Sequence, residues 1–206
     1  MILAHPDGQV FSFDAGTLCL ELACTSGGEG TRRRFEVLHE PSDFARWAAR
    51  SRLDLPGHGI DSAEVHTTEA NLRQLKRLRE AIWATAYAIA TGGPPHDHDL
   101  RIINDIASGP GVVAQLDLAT AATTWRRPVT ARQLAAEIAR DAVETLSRPA
   151  RDRIRMCAGD NCYLIYLDTS RPGRRRWCSM QRCGNRHKAT TFRGRHRGAQ
   201  EHGGTQ

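Results

Sequence analysis

Four of the six cysteines form two equally spaced pairs toward the C-terminal end of the chain. Four residues separate the members of each pair and fifteen separate the pairs, which are Cys157 with Cys162 and Cys178 with Cys183. A tetrahedral zinc ion binds four thiolates, and each pair can supply one edge of the tetrahedron. We therefore predict one zinc ion (Zn2+) per chain. Four thiolates leave no position for a catalytic water, so the zinc is expected to be structural.

The other two cysteines, Cys19 and Cys24, have the same spacing but a different interpretation. On a strand, an odd separation directs their side chains to opposite faces, and on a helix they lie about 140° apart. Neither arrangement makes the edge of a metal site. We expect both to be buried small apolar residues.

The spacer between the cysteine pairs is predicted to form a hairpin. Residues 163–167 are typical of a strand, a Pro-Gly turn follows at 172–173, and residues 174–177 return. Such a hairpin brings Cys162 and Cys178 together. A segment this short buries little core, so metal binding is expected to supply much of its folding free energy.

A short helix is predicted after the last cysteine, because Gly184 allows the backbone to turn tightly around the sulfur. Helical spacing over 182–193 places three arginines on one stripe: Arg182, Arg186 and Arg193. The same spacing directs Phe192 toward the hairpin beside Trp177. Gly194 is expected to end the helix early, which leaves later arginines on a flexible tail.

The charge is distributed unevenly along the chain. Residues 148–206 carry 14 Arg and Lys against 4 Asp and Glu, whereas residues 1–147 carry 15 against 19. A basic end on a mildly acidic body is typical of a module that binds a polyanion. The predicted nucleic-acid contacts are Arg174, Arg182, Arg186, Lys188, Arg193, Arg195 and Arg197. Two alternatives stay open: a solubilising tail, and a bracing ion pair from Arg175 or Arg176 to Asp168.

The first 147 residues predict an α+β fold that is mostly helical, with a small antiparallel sheet. Helix starts are indicated at Ser42 or Asp43, at Thr67 or Thr68, at Asp97 or Asp99, and at Thr130. Residues 112–118 and 121–127 predict paired strands. Alternation over 18–22 favours a half-buried strand, although a helix over 18–24 fits as well.

No catalytic motif is present: the sequence has no nucleophile elbow, P-loop, HExxH or dinucleotide fingerprint. A Gly-rich stretch at 27–31, followed by Arg32–Arg34, predicts a polar loop that could cradle an anion, although it lacks the P-loop spacing. His66 and the His-Asp-His run at 96–98 are candidate ligands or bases, but histidines in polar loops are usually only solvated. We expect no enzymatic activity.

Composition bounds the class of protein. Apolar residues make up 40% and charged residues 25%, both within the globular range. There is no run of 18 apolar residues, and the first residues lack the pattern of a signal peptide. We therefore expect a cytoplasmic protein with reduced cysteines and no membrane segment.

Two stretches resemble known families. The finger region resembles the CGNR zinc finger through Asp168–Arg171, Arg175–Met180, Cys183–Arg186 and Lys188. The stretch LCLELACT at 18–25 is similar to the opening of the ABATE domain, which usually precedes that finger, although Cys24 stands where the family usually has Asn. The resemblance implies an ABATE-like domain over 1–149 and a CGNR-type finger over 150–197. A disordered tail is expected over 198–206.

The resemblance also implies a function, that of a bacterial stress-responsive transcription regulator whose finger binds DNA. The N-terminal domain would then sense a small-molecule ligand or form a homodimer. The alternative is an RNA- or protein-interaction module in which the zinc finger is purely structural. Salt-dependent, sequence-preferring binding to duplex DNA separates the two hypotheses.

Overall fold

The computed structural model describes residues 1–5, 8–26, 30–53, 60–147 and 149–201, with residues 30, 31 and 194–201 described by backbone only. Six α-helices lie in these ranges: α1 Leu18–Ala23, α2 Pro41–Ala48, α3 Glu69–Thr91, α4 Asp97–Ala107, α5 Ala131–Leu146 and α6 Asn185–Glu201. The eight strands are β1 Ile2–Ala4, β2 Val10–Ser12, β3 Val65–His66, β4 Ala114–Leu116, β5 Thr123–Trp125, β6 Val129–Thr130, β7 Ile154–Met156 and β8 Ile165–Leu167. The pairs β1–β2, β4–β5 and β7–β8 are antiparallel, and β3–β6 is parallel. The predicted α+β class is confirmed.

The long helices begin where the capping residues indicate. Thr68 caps α3 and Thr130 caps α5, each in a reciprocal capping box with the residue three positions later. Gly92 ends α3 in the left-handed conformation, with φ of 79°, which a residue without Cβ adopts at little cost. Local hydrogen bonding therefore sets both ends of α3.

Residues 18–23 form a helix and not the favoured strand. All six residues of α1 are buried, and the helix packs against α3, α5 and β8. An element that is buried on every side needs no polar face. The order of its apolar and polar residues therefore does not distinguish a helix from a strand. The backbone N–H of Cys19 donates to Asp141 Oδ2 on α5 at 2.7 Å, which ties the helix to its neighbour.

Strand β8 pairs with β7 and not with the predicted return strand. In the register of this ladder Ile154 faces Leu167 and Met156 faces Ile165. Residues 174–177 run alongside as irregular chain. The backbone N–H of Arg175 donates to Asp168 Oδ2 at 2.8 Å, so Asp168 binds this segment through its main chain.

One hydrophobic core extends across the expected boundary at residue 149. Ile165 and Tyr166 are fully buried in the same cluster as Leu20 of α1 and Leu78 of α3. At Gly16, an added Cβ would lie 2.7 Å from the carbonyl oxygen of Leu167, so the two segments touch at backbone distance. The C-terminal strands therefore pack as part of the helical body.

None of the helices in the described ranges combines the length and the apolar composition needed to cross a membrane.

Candidate metal centre

The four predicted cysteines come together at the ends of four short segments. Cys157 follows β7 and Cys162 precedes β8. Cys178 lies two residues before a single π-helical turn, Met180–Gly184, and Cys183 lies within that turn. All four Sγ atoms lie within 4.8 Å of one another. The Sγ atom of Cys178 lies 3.8 Å from that of Cys162 and 3.5 Å from that of Cys183.

These distances fit a tetrahedral zinc ion. A Zn–S bond of about 2.3 Å requires tetrahedral edges of about 3.8 Å. The donor set is four sulfurs, which is the composition of a closed structural site. The backbone N–H of Cys178 also donates to Cys157 Sγ at 3.2 Å, an outer contact that stabilises a thiolate. The four cysteines are thus able to bind one zinc ion.

Gly159 allows the first cysteine pair to wrap around the site. A Cβ at this position would lie 2.7 Å from Cys183 Sγ and 3.5 Å from Cys157 Sγ. Real side-chain carbons do not approach sulfur at 2.7 Å, so the absence of a side chain lets the loop fold over the metal position. Sequence reasoning missed this glycine, whose role depends on a residue 24 positions away.

The four thiols lie close enough for the ionisation of each to depend on the others. Hydrogen bonds from Cys162, Cys178 and Cys183 lower the pKa of Cys157 far below its usual range. The same hydrogen bond to Cys157 raises the pKa of Cys162, since that proton is held between the two sulfurs. A group of four thiols this close cannot be fully ionised without a compensating positive charge, which a zinc ion supplies.

The remaining candidate ligands lie apart from this cluster. Cys19 and Cys24 are buried, as predicted, and burial raises the pKa of the Cys24 thiol to about 12. The residues of the His96–His98 run are exposed on the surface at the start of α4. Among the described residues, the four cysteines are the single group of potential ligands gathered closely enough for a metal.

Two family profiles match the sequence in the regions that these elements occupy. One, described as "putative stress-induced transcription regulator" and named ABATE, matches residues 16–149. The chain belongs to the ABATE family. The CGNR zinc-finger profile matches residues 153–196, which include all four cysteines. A comparison with curated proteins found no match.

Arg175 braces the finger of this ABATE protein against the body. Its guanidinium lies 3.9 Å from the ring centre of Tyr166 and donates to three carbonyl oxygens, those of Asp14, Trp177 and Cys178. The pairing of Arg175 with the Asp168 carboxylate, left open by the sequence, occurs through the Arg175 backbone and not through its side chain. Arg175 therefore joins the N-terminal segment to the metal loop.

Arg182 is a second brace and not an exposed contact. It lies in the π-helical turn, is 4% exposed, and donates to Gln9 Oε1 at 2.8 Å. Its guanidinium also lies over the ring of Phe11, at 5.4 Å from the centre. The expectation that Arg182 contacts nucleic acid is corrected by this burial, because the charge is already engaged by the β1–β2 hairpin.

The other predicted contact residues are distributed over helix α6 and the loop before it. Arg174, Arg186, Lys188 and Arg193 are exposed. The helix continues to Glu201, so the prediction that Gly194 ends it is wrong. Arg195 and Arg197 lie on this helix, where the structure describes the backbone only. Of the tail that was expected to be disordered, residues 198–201 are helical, and residues 202–206 lie outside the described ranges.

The aromatic contact of α6 with the segment before it differs from expectation. Phe192, which was expected beside Trp177, is 63% exposed. The ring beside Trp177 is that of His187, with 4.8 Å between the ring centres. The stripe of three arginines is reduced to Arg186 and Arg193, which lie seven residues apart on one face. Lys188 is about 200° around the helix from Arg186 and lies on the opposite face.

Proposed function

We propose that this ABATE-family protein is a zinc-dependent, DNA-binding transcription regulator whose N-terminal domain senses a small-molecule ligand or forms a homodimer. The observation that carries the proposal is helix α6. It begins two residues after the zinc ligand Cys183, and every described side chain from 185 to 193 is exposed. A helix whose described side chains are all exposed presents them to solvent, where a partner can contact them.

The charge and length of α6 suit a polyanion. Its 17 residues span about 25 Å and include five Arg or Lys and one Glu. The major groove of DNA is about 12 Å wide and admits one helix. Arg174, Arg186, Lys188, Arg193, Arg195 and Arg197 are the proposed contacts. They are expected to bind phosphates mainly, with one or two reaching base edges.

The test is salt-dependent binding to duplex DNA by zinc-loaded protein. Each lost phosphate contact should flatten the plot of log K against log salt by about one unit, so the double variant Lys188→Gln, Arg193→Gln should flatten it by about two. Arg101→Gln, at an exposed position of α4, is the matched control and should leave the slope unchanged. An unchanged slope in the double variant would contradict the proposal. Equal affinity for duplex DNA, RNA and heparin would instead favour the interaction-module alternative.

Dimerisation has a specific surface to test. The β4–β5 hairpin exposes apolar side chains, among them Leu116 at 66% and Leu118 at 102%. Exposed apolar residues that cluster on one element are typical of a contact surface. We expect Leu118→Ser to shift the molar mass measured by light scattering toward the monomer. An unchanged mass would leave ligand sensing as the proposed role of the domain.

A further inference from the structure

A cleft of about 1060 Å³ lies between the N-terminal body and helix α6. One wall is the β1–β2 hairpin, with Leu3 and Phe11, and the opposite wall is α6, with Arg186 and Arg193. Trp83 of α3 also lines it. The hairpin precedes the part of the chain that the ABATE profile matches. The volume is at the upper end of small-molecule sites.

The lining of this cleft, among the described residues, is strongly basic. It contains five arginines and one acidic residue, Asp160. Aromatic and aliphatic side chains make up much of the rest, including Phe35, Trp83, Leu164 and Trp177. Apolar walls with a few convergent cations are the lining that an organic anion requires.

Arg32 marks where the anion would bind. Its side chain is 12% exposed, its guanidinium stacks 3.8 Å from the ring centre of Trp83, and Nη1 lies 3.1 Å from Glu80 Oε2. Its Nη2 atom is buried and has no hydrogen-bond partner among the described residues. A buried donor without an acceptor is costly, and a carboxylate bound in the cleft would supply the acceptor that Nη2 lacks.

We infer that this cleft binds a small aromatic carboxylate, with the carboxylate on Arg32 and the ring against the apolar lining. A DNA duplex is too wide to bring a phosphate to a side chain this deep, so the occupant is a small molecule. This assignment gives a ligand class to the proposed ligand-sensing role, and its expected effect on DNA binding rests on the proposed function. Since Arg186 and Arg193 line the cleft and are proposed to bind DNA, a bound anion is expected to weaken DNA binding.

The test compares two probes of the same shape, 2-naphthoate and the neutral 2-naphthamide, by calorimetric titration of the zinc-loaded full chain. Naphthoate should bind at least tenfold more tightly than naphthamide, since only the anion engages the guanidinium. Arg32→Gln should weaken naphthoate at least tenfold. Arg33→Gln is the matched control, because Arg33 is exposed on the same 3-10 helix and does not line the cleft.

A second variant guards against unfolding in Arg32→Gln. Arg34→Gln removes an exposed arginine of the same cleft and should weaken naphthoate severalfold without lowering the melting temperature. Equal binding of the two probes, no binding at millimolar concentration, or full affinity in both variants would overturn the inference.

The DNA measurement separates the two proposals. Saturating naphthoate should raise the dissociation constant for duplex DNA, and an unchanged constant would overturn the coupling. If the parent protein does not bind DNA at all, the proposed function fails while the Arg32-dependent preference for naphthoate still stands. If DNA binds and the charge preference is absent, the cleft assignment alone fails.

Discussion

The substitution Ile165→Ala tests whether the zinc-finger strand is part of the core of the helical body. Ile165 lies on β8, between the two cysteine pairs, and is fully buried in a cluster that includes residues of α1 and α3. Its carbonyl oxygen also accepts from Cys24 Sγ at 3.4 Å. Truncating a buried isoleucine to alanine costs about 2–5 kcal/mol, through lost burial and the cavity left behind.

The expected readout is the thermal melt of the helical signal. For a chain of this size, each kcal/mol lowers the melting temperature by about 2–4 °C, so Ile165→Ala should lower it by roughly 4–20 °C. The measurement is circular dichroism at 222 nm on zinc-loaded protein, together with zinc content by mass spectrometry. Val143→Ala, at an exposed position of α5 away from the β4–β5 hairpin, is the control and should shift the melt far less.

An unchanged helical melt in Ile165→Ala would refute the reasoning. It would mean that the finger and the helices unfold independently, as the sequence-based boundary at residue 149 implies. Chelation of zinc is expected to act in the same direction as the substitution. Loss of the metal loosens Cys157 and Cys162, which flank the β7–β8 ladder, so the helical melt should fall in temperature and remain a single transition.

Four further substitutions test single features of the structure. Gly159→Ala should lower zinc affinity at least tenfold, as measured by competition with a chromogenic chelator, because its Cβ would collide with Cys183 Sγ. Arg79→Leu should reduce the free energy of unfolding by about 3 kcal/mol in urea titrations, since it removes the two 2.8 Å hydrogen bonds that Arg79 donates to the carboxylate of Glu36. Burial by itself raises the pKa of Glu36, but hydrogen bonds from Arg79 and from the backbone N–H of Leu38, together with the positive charges of Arg79 and Lys76, outweigh it and hold that pKa below its usual range. The stabilisation is therefore full above the unfolded pKa of about 4.3 and is lost as pH falls through the folded pKa, so Glu36→Gln should flatten this acid limb. Arg182→Met should lower the melting temperature while leaving the salt slope of DNA binding unchanged, and a flatter slope would restore it as a contact.

Local signals in the sequence were sufficient where the structure depends on near neighbours. Capping boxes at Thr68 and Thr130 located the starts of α3 and α5 because the hydrogen bonds span three residues. The two cysteine pairs indicated the zinc-binding residues because a structural zinc ion takes four ligands in a tetrahedron, and two close pairs of thiolates can supply all four. Each of these inferences requires only the residue types and their separations.

Long-range packing decided what the sequence left open or suggested wrongly. The alternation over 18–22 favoured a strand because periodicity assumes one solvated face, and α1 has none. Arg182 resembled the other arginines of a basic stripe until the β1–β2 hairpin, some 170 residues earlier in the chain, was seen to cover it.

The sequence by itself determined the metal chemistry, the helix boundaries set by caps, and the basic character of the C-terminal segment. These follow from side-chain chemistry and from hydrogen bonds between near neighbours. Only the tertiary structure decided which arginines are exposed, how the finger joins the helical core, and that Arg32 faces a cleft shared with α6. The physical reason is that burial and charge pairing depend on which distant segments cover a residue, and spacing along the chain does not specify that.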